Sequence, residues 1–479
     1  MEGNIVTIQQ LYRKLLLVFV VLVVVVPNVY LVVAQGYVLE EIDTTSQEHP
    51  ALYCIEHVAY VGQMRLLYCL FACPAMVLQY YGFNTSVYDV LFQLGAGYAL
   101  TYSTPYMVRM PEGSGMVCRW DNDCMFLASL YGLEYERWQA EYTWDEAERW
   151  EQYWWRVKDT VSKHIPVITN VDPLFLPSVQ QPIRNVVDGF AGRNPWLFDR
   201  VWKNLPNTVL HQILIVGYNE NNNSVCYHDP GSALWGAADQ GRYVWMDMDV
   251  LRQSLHSLFS YRDFSYYIEV FINTSESPLA KDEMYRWSHE RNIQKMRGNQ
   301  SMYHPYITDE WGCTEFGINA IHKLRDDLSP GLKTRMTTYG VYKHHAVFGF
   351  LSTKYHLMSA VHMLHPLLFE WYEAESLLNH YRQIALEKED IAAYLYVLQF
   401  ELHDSVLADT CAHQALLLQQ EAEKWRELSD LFELFLKHGA RMSWMRGLFV
   451  LSEMHMIVDE IICIQESIMN YNILEDNGF

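Results

Sequence analysis

The chain reads Gln63-Met-Arg-Leu-Leu-Tyr-Cys69-Leu-Phe-Ala-Cys-Pro-Ala-Met-Val-Leu-Gln-Tyr-Tyr-Gly82 across the stretch that decides its fold. The apolar run after Cys69 predicts a helix that opens at this cysteine and ends near Gly82. A helix N-terminus and a nearby imidazole both favour the thiolate form of a cysteine. Gln63 lies six residues ahead of Cys69, where its side-chain amide can donate a hydrogen bond to an oxyanion. The stretch therefore predicts a cysteine nucleophile that works through a thioester.

Two polar residues far downstream supply the other parts of such a site. His211 begins the apolar run His-Gln-Ile-Leu-Ile-Val-Gly-Tyr218, which is typical of a buried strand. Asp229 ends the next predicted strand, and the asparagine-rich segment 219–223 between them predicts a hairpin. His211 is the candidate base, and Asp229 is the candidate residue that orients its imidazole. Each residue alone also fits a structural role, but their order and spacing together favour a catalytic set.

Cys73 is an alternative nucleophile. Proline favours the first position of a helix, so Pro74 would make Cys73 the residue that caps a helix beginning there. Cys73 lies ten residues after Gln63, however, and leaves only a short helix before Gly82. The spacing therefore favours Cys69, with Cys73 retained as a second candidate or as a structural thiol.

The predicted elements divide the chain into two parts of different character. The first part has short helices followed by apolar strands over residues 166–171, 208–218, 224–228, 242–248 and 266–272. In the second part, apolar residues recur at helical spacing over Thr314–Leu328, Lys354–Asn379, Glu387–His438 with internal breaks, and Ser443–Tyr471. We therefore predict an α+β catalytic domain over residues 35–278, followed by an α-helical bundle domain over residues 279–479.

The N-terminal segment has the features of an export signal. Arg13 and Lys14 precede the apolar run Leu15–Val26, and Val32-Val33-Ala34 supplies the small residues of a cleavage site. This pattern predicts a secretory signal peptide cut after Ala34. The alternative is a membrane anchor, because about 20 apolar residues suffice to span a bilayer. Either interpretation predicts a body that is secreted or lies in the secretory lumen, whereas an intracellular enzyme anchored by this segment is a third interpretation.

Composition excludes some classes of partner. The formal net charge is −22, so no basic surface is expected that could neutralise the phosphates of a nucleic acid. The nine cysteines all follow Ala34, and an odd number in an exported chain leaves at least one thiol outside intramolecular disulfides. No sequence pattern of a metal or cofactor site is present. We therefore expect no nucleic acid, no cofactor, and membrane contact only through residues 15–34 if they remain uncleaved.

A known family shares these motifs. The helix from Cys69 to Gly82, with Gln63 before it and His211 and Asp229 behind, resembles the papain-like fold of double-glycine leader peptidases. The chain more closely resembles the N-terminal domain of the butirosin biosynthesis protein H family. Two further stretches carry that resemblance, namely Leu91-Phe-Gln-Leu-Gly-Ala-Gly97 and Pro166-Val-Ile-Thr-Asn-Val-Asp-Pro-Leu-Phe-Leu-Pro177. The resemblance covers residues 50 to 275 approximately.

The resemblance implies a papain-like cysteine acyltransferase. An acyl group would move from a carrier-protein thioester, another thioester or a peptide amide onto Cys69, and then to an amine or to water. Tyr68 and Leu70 flank Cys69, whereas members of the family commonly have a small or polar residue on either side of the cysteine. The competing hypothesis is therefore a secreted, non-enzymatic binding protein built on a disabled papain-like fold.

Overall fold

The computed structural model describes most of the chain from His49 onward, and His49–Phe479 form one compact unit. The described residues are 49–63, 65, 68–103, 110–112, 121–141, 143–177, 211–235, 238–257, 265–274, 276–302, 313–328, 366–438 and 444–471. The predicted signal peptide or anchor (residues 1–34) and residues 354–365 lie outside them. Within these ranges, no helix combines the length and the apolar character needed to cross a membrane.

Helices and short strands alternate in the first part of the chain, and helices dominate the second. The helices are α1 (Cys69–Tyr80), α2 (Val87–Leu94), α3 (Asp121–Leu130), α4 (Glu146–Ser162), α5 (Met248–Ser257), α6 (Lys281–Met296), α7 (Ile318–Asp327), α8 (Pro366–Leu398), α9 (Ser405–His438) and α10 (Trp444–Asn470). The strands are β1 (Leu52–Cys54), β2 (Thr101–Ser103), β3 (Met110–Glu112), β4 (Leu133–Gln139), β5 (Val167–Val171), β6 (His211–Asn219), β7 (Ser224–His228), β8 (Val244–Asp247), β9 (Tyr267–Asn273) and β10 (Cys313–Phe316).

The main sheet is antiparallel and has β6 near its centre. Its strand order is β4-β9-β5-β6-β7-β8, and β1 also pairs with β6. All but the last residue of β6 are buried, in agreement with the apolar run 213–218 between its polar ends. With helices and an antiparallel sheet in one unit, the predicted α+β class is confirmed.

The predicted hairpin between β6 and β7 is present. The side chain of Asn219 accepts hydrogen bonds from the backbone N–H groups of Asn221 and Asn222, at 3.1 and 3.3 Å. Asn223 adopts a left-handed backbone with φ of 48°, a conformation that asparagine tolerates better than most residues. Because the two strands run antiparallel, the start of β6 and the end of β7 lie side by side at the same end of the sheet.

The helix predicted over Thr314–Leu328 begins later than expected. Residues Cys313–Phe316 instead form β10, which pairs with β2 in a small sheet completed by β3. The backbone N–H of Gly317 donates to the carbonyl of Leu100 at 2.8 Å, and Gly317 has a φ of +55°. A glycine adopts this backbone at little cost, so the chain leaves β10 and turns directly into α7.

The C-terminal helices share a core with the first part of the chain. Helix α8 packs along α9, and α9 packs against α10, as expected for a helical bundle. Ile391 and Leu395 of α8 belong to the same buried cluster as Phe71 and Met76 of α1. Each such fully buried side chain contributes about 1.5–3 kcal/mol through burial. The hydrophobic core therefore continues from α1 into α8, while the domain boundary at residue 278 stays a prediction.

Candidate active site

Cys69 is the first residue of α1. Tyr68 caps the helix with its backbone, because its carbonyl accepts the N–H groups of Phe71 and Ala72 at 3.1 and 2.9 Å. Only 2 % of Cys69 is exposed, and the residue is not disulfide-bonded. The aligned peptide dipoles give a helix N-terminus a partial positive charge, which stabilises a thiolate at this position.

Cys73 lies inside the same helix rather than at its start. Its side chain is fully buried, and Pro74 follows it within α1. Proline lacks a backbone N–H, so the carbonyl of Leu70 loses its usual partner in the helix ladder. The helix that would begin at Pro74 is therefore part of a longer one, and its N-terminus lies at Cys69.

The structure brings His211 and Asp229 together at one end of the sheet, where β6 begins and β7 ends. His211 opens β6 opposite Val171 of β5, and Asp229 directly follows β7. The Nε2 atom of His211 donates a hydrogen bond to Oδ1 of Asp229 at 2.7 Å. Both residues are buried, and Asp229 has no exposed surface. Because Nε2 is directed at Asp229, Nδ1 is the ring nitrogen that remains for a second partner.

That second partner is Cys69, whose side chain hydrogen-bonds to His211. Burial by itself lowers the pKa of an imidazole. Here the charges of Cys69 and Asp229, with their hydrogen bonds to the ring, outweigh burial and raise the pKa of His211 to about 10. A pKa above the ordinary value means that the imidazolium persists through neutral pH as long as these anionic partners are present. The attraction is mutual, so the same contact favours the thiolate of Cys69.

A neighbouring histidine has the opposite character. His228 precedes Asp229 and is fully buried between the rings of Tyr60 and Tyr243. Burial, opposed by a backbone hydrogen bond, lowers the pKa of His228 to about 4, so this side chain is neutral at physiological pH. In the described part of the chain, no three His, Cys, Asp or Glu side chains are grouped to hold a metal ion.

Asp229 is held by its backbone as well as by His211. Its Oδ1 accepts the N–H of Gly231 at 2.8 Å, and its own N–H donates to the carbonyl of Gly241 at 2.8 Å. Its carbonyl accepts hydrogen bonds from the hydroxyls of Tyr60 at 3.0 Å and Ser232 at 2.8 Å. A carboxylate fixed in this way can hold one tautomer and one orientation of the imidazole.

Gly231 passes directly beside the hydrogen-bonded pair. A Cβ atom at this position would lie 2.8 Å from Cε1 of His211 and 3.0 Å from Oδ1 of Asp229. Carbon atoms in proteins do not approach this closely without displacement of one partner. The absence of a side chain at Gly231 is therefore a condition for the observed contact.

Gln63 lies against the turn that follows Asp229. Its backbone N–H donates to the carbonyl of Pro230 at 2.9 Å, and only 4 % of the residue is exposed. Gly62 permits this approach, since a Cβ there would lie 2.5 Å from Cβ of Ala233. The Oε1 atom of Gln63 is buried without a hydrogen-bond partner. The side-chain amide is thus a buried polar group beside the site with unused hydrogen-bonding capacity.

All four predicted site residues therefore lie on two neighbouring parts of the structure. Gln63 and Cys69 lie before and at the start of α1, and His211 and Asp229 lie where β6 begins and β7 ends. Sequence reasoning missed Tyr60, Ser232 and Gly231. The Asp-Pro-Gly turn was visible in the sequence and could have indicated Gly231. No local pattern indicates Tyr60, because its contact with Asp229 spans 169 residues.

Comparison with known proteins agrees with this geometry. Residues 55–249 match the model of the Peptidase_C39 like family, and the matched range includes Gln63, Cys69, His211 and Asp229. No curated protein matches the chain. The family match implies the papain-like form of the α+β fold and supports chemistry of the cysteine peptidase type. Residues 55–249 are therefore similar to the Peptidase_C39 like family, which points to a papain-related cysteine peptidase fold for this part of the chain.

Proposed function

We propose that this protein is an enzyme that forms a thioester on Cys69 and thereby hydrolyses an amide or transfers an acyl group. The observation that carries the proposal is the linked set at the start of α1, in which His211 contacts both Cys69 and Asp229. An imidazole between a thiol and a carboxylate is the arrangement that activates a cysteine nucleophile. The binding-protein alternative gives no reason for this contact.

In the first half of the reaction, Sγ of Cys69 attacks the carbonyl carbon of the substrate. A C–S bond forms, and the electron pair of the carbonyl moves to its oxygen. The side-chain amide of Gln63 and the backbone N–H of Cys69 are the proposed donors to this oxyanion. One such donor is typically worth about 10²–10³ in kcat.

To complete this half, the imidazolium of His211 donates its proton to the leaving amine or thiol. The bond between that group and the acyl carbon breaks, and the thioester on Cys69 remains. Water or an amine then attacks the thioester, His211 accepts the proton of this nucleophile, and Cys69 departs as a thiolate. Asp229 holds the ring throughout and stabilises its charged form.

Amide hydrolysis is the first candidate, because it is the chemistry of the family whose model matches. Acyl transfer is the second, and the low exposure of Cys69 and His211, at 2 % and 6 %, favours it. Water competes with an amine for the same thioester, so a shielded sulfur extends the time available to the amine. The donor would then be a carrier-protein thioester or another thioester, as the resemblance to the butirosin biosynthesis protein H family implies.

Trapping the acyl-enzyme tests the proposal. The protein is incubated with the N-acetylcysteamine thioester of a short acyl chain, quenched with acid, and mapped by peptide mass. We expect one acyl group on Cys69, its removal by hydroxylamine, and the same labelling in Cys73→Ala but none in Cys69→Ala. Adding glycinamide and measuring acyl-glycinamide against free acid then distinguishes transfer from hydrolysis. Labelling that persists in Cys69→Ala, or no labelling of Cys69 at all, would support the binding-protein alternative.

We also propose that residues 1–34 direct export and are removed. The support is the charged, apolar and small-residue order of this segment. Expression in a secreting host should give a protein in the medium whose N-terminus is Gln35. Recovery of the uncut chain in the membrane fraction would instead indicate that residues 15–34 are an anchor.

A further inference from the structure

Helix α8 reaches back to the segment that leads into Cys69. Nε of Arg65 donates to Oδ2 of Asp390 at 2.6 Å, and Nη2 donates to Oδ1 at 2.8 Å. The hydroxyl of Tyr68 donates to Oδ2 of the same carboxylate at 2.6 Å. Paired guanidinium–carboxylate bonds constrain geometry as well as distance. One aspartate of the C-terminal helical region thus holds two residues within four positions of Cys69.

Tyr68 transmits this constraint directly to the start of α1. It precedes Cys69, and its carbonyl accepts the N–H groups of Phe71 and Ala72. Its ring is fully buried and meets the ring of Phe71 edge-on, with the ring centroids 5.7 Å apart. Burial and the charges of Glu387 and Asp390 raise the pKa of Tyr68, which keeps its hydroxyl protonated as a donor.

Helix α8 is itself held firmly against the first part of the chain. The ammonium of Lys388 donates to the carbonyl of Gly97 at 2.7 Å and pairs with Glu421 of α9 at 2.8 Å, both charged groups being fully buried. One turn beyond Asp390, the hydroxyl of Tyr394 donates to Asp89 of α2 at 2.9 Å. Asp390 therefore extends from a rigid support.

We infer that Asp390 is a positioning residue for the nucleophile, and that α8 completes the site built on α1 and β6. The inference rests on the proposed function, because it concerns the alignment of Cys69 with His211. Asp390 acts through Tyr68 and Arg65 and touches no reacting atom. Releasing Tyr68 would let the first turn of α1 shift, which lengthens the contact between thiolate and imidazolium and weakens their attraction.

Two tyrosines allow a matched comparison. Tyr68→Phe removes one hydroxyl that bonds to Asp390, and Tyr394→Phe removes one hydroxyl that bonds to Asp89 across the same interface of α8. Both variants keep every formal charge. They are expected to lower thermal stability similarly, so a difference in the behaviour of Cys69 reports position rather than folding.

The measurement is the rate of iodoacetamide alkylation at Cys69, read by peptide mass between pH 5 and 10 in the full chain. The wild type should react rapidly at pH 6, far below the pKa of about 8.5 of a free cysteine. Tyr68→Phe should slow alkylation at pH 6 on the order of tenfold and move the midpoint of the profile to higher pH. Tyr394→Phe should keep the wild-type profile.

Asp390→Asn separates position from charge. This variant leaves the cation of Arg65 unpaired near the site, which by electrostatics alone would favour the thiolate and speed the reaction at pH 6. We expect slower alkylation, as in Tyr68→Phe, and faster alkylation at pH 6 would overturn the inference. A wild-type profile in Tyr68→Phe, or equal effects of the two tyrosine variants, would overturn the inference while the proposed function stands. An unreactive Cys69 in the wild type at pH 6 would overturn both.

Discussion

Cys69→Ala should abolish turnover, with a loss on the order of 10⁴ to 10⁶ in kcat. The thiol at this position is the only one of the α1 thiols that lies at the helix N-terminus and contacts His211. Cys73→Ala removes a thiol of the same kind one helical turn away and should leave kcat within about twofold of the wild type. The pair is measured on the acyl donor that the trapping experiment identifies.

His211→Ala should cost nearly as much as Cys69→Ala, and the double variant should be no worse than either single one. Residues that act as one unit are not additive, because the remaining partner has no role once the other is removed. The comparison is made by steady-state kinetics on all three proteins. Independent, multiplying losses would show that His211 and Cys69 do not work as a pair and would contradict the mechanism.

Gly231→Ala should reduce kcat/KM on the order of 10²-fold, although it adds only a methyl group. The added Cβ would lie 2.8 Å from Cε1 of His211, so the imidazole or the carboxylate of Asp229 must move. A displaced ring no longer holds the geometry that proton transfer requires. The effect should therefore appear in catalysis more than in thermal stability.

Gly82→Ala is the control for this substitution. Gly82 lies two residues after the end of α1, the helix that begins at Cys69. It has a φ of +89°, and an added Cβ would have no atom within 4 Å. Its replacement strains the backbone and costs about 1 kcal/mol of stability, with no contact to the site. Full activity in Gly231→Ala, or equal losses in the two glycine variants, would contradict a specific role for Gly231.

The parts of this site that were predictable from sequence are the local ones. A hairpin of about twenty residues positions His211 and Asp229, and its strands and turn have patterns that can be recognised in sequence. The nine-residue strand β6 and the capped helix α1 are likewise encoded in neighbouring residues. For this reason the α+β class and strands β5 to β9 could be predicted, whereas the main-sheet strands β1 and β4 were not.

The parts that could not be predicted depend on distant contacts. Residues 314–316 have helical spacing, yet they pair as a strand with β2, more than 200 positions earlier. The contact between Tyr60 and Asp229 spans 169 residues. Asp390 ends the charged run Glu387-Lys-Glu-Asp390, and a charge run on a long amphipathic helix usually marks a solvated face, so nothing in the sequence indicated its contact with Arg65 and Tyr68.

The contact between Arg65 and Asp390 spans 325 residues, and this separation has a consequence in time. At about 5–20 residues per second during synthesis, roughly 16 to 65 s pass between the appearance of the two residues. Throughout this interval Cys69 is present without the carboxylate of Asp390, which holds Arg65 and Tyr68 in the folded protein. On the inferred role of Asp390, a nascent chain would therefore carry a less well aligned and less reactive Cys69 until helix α8 has been made.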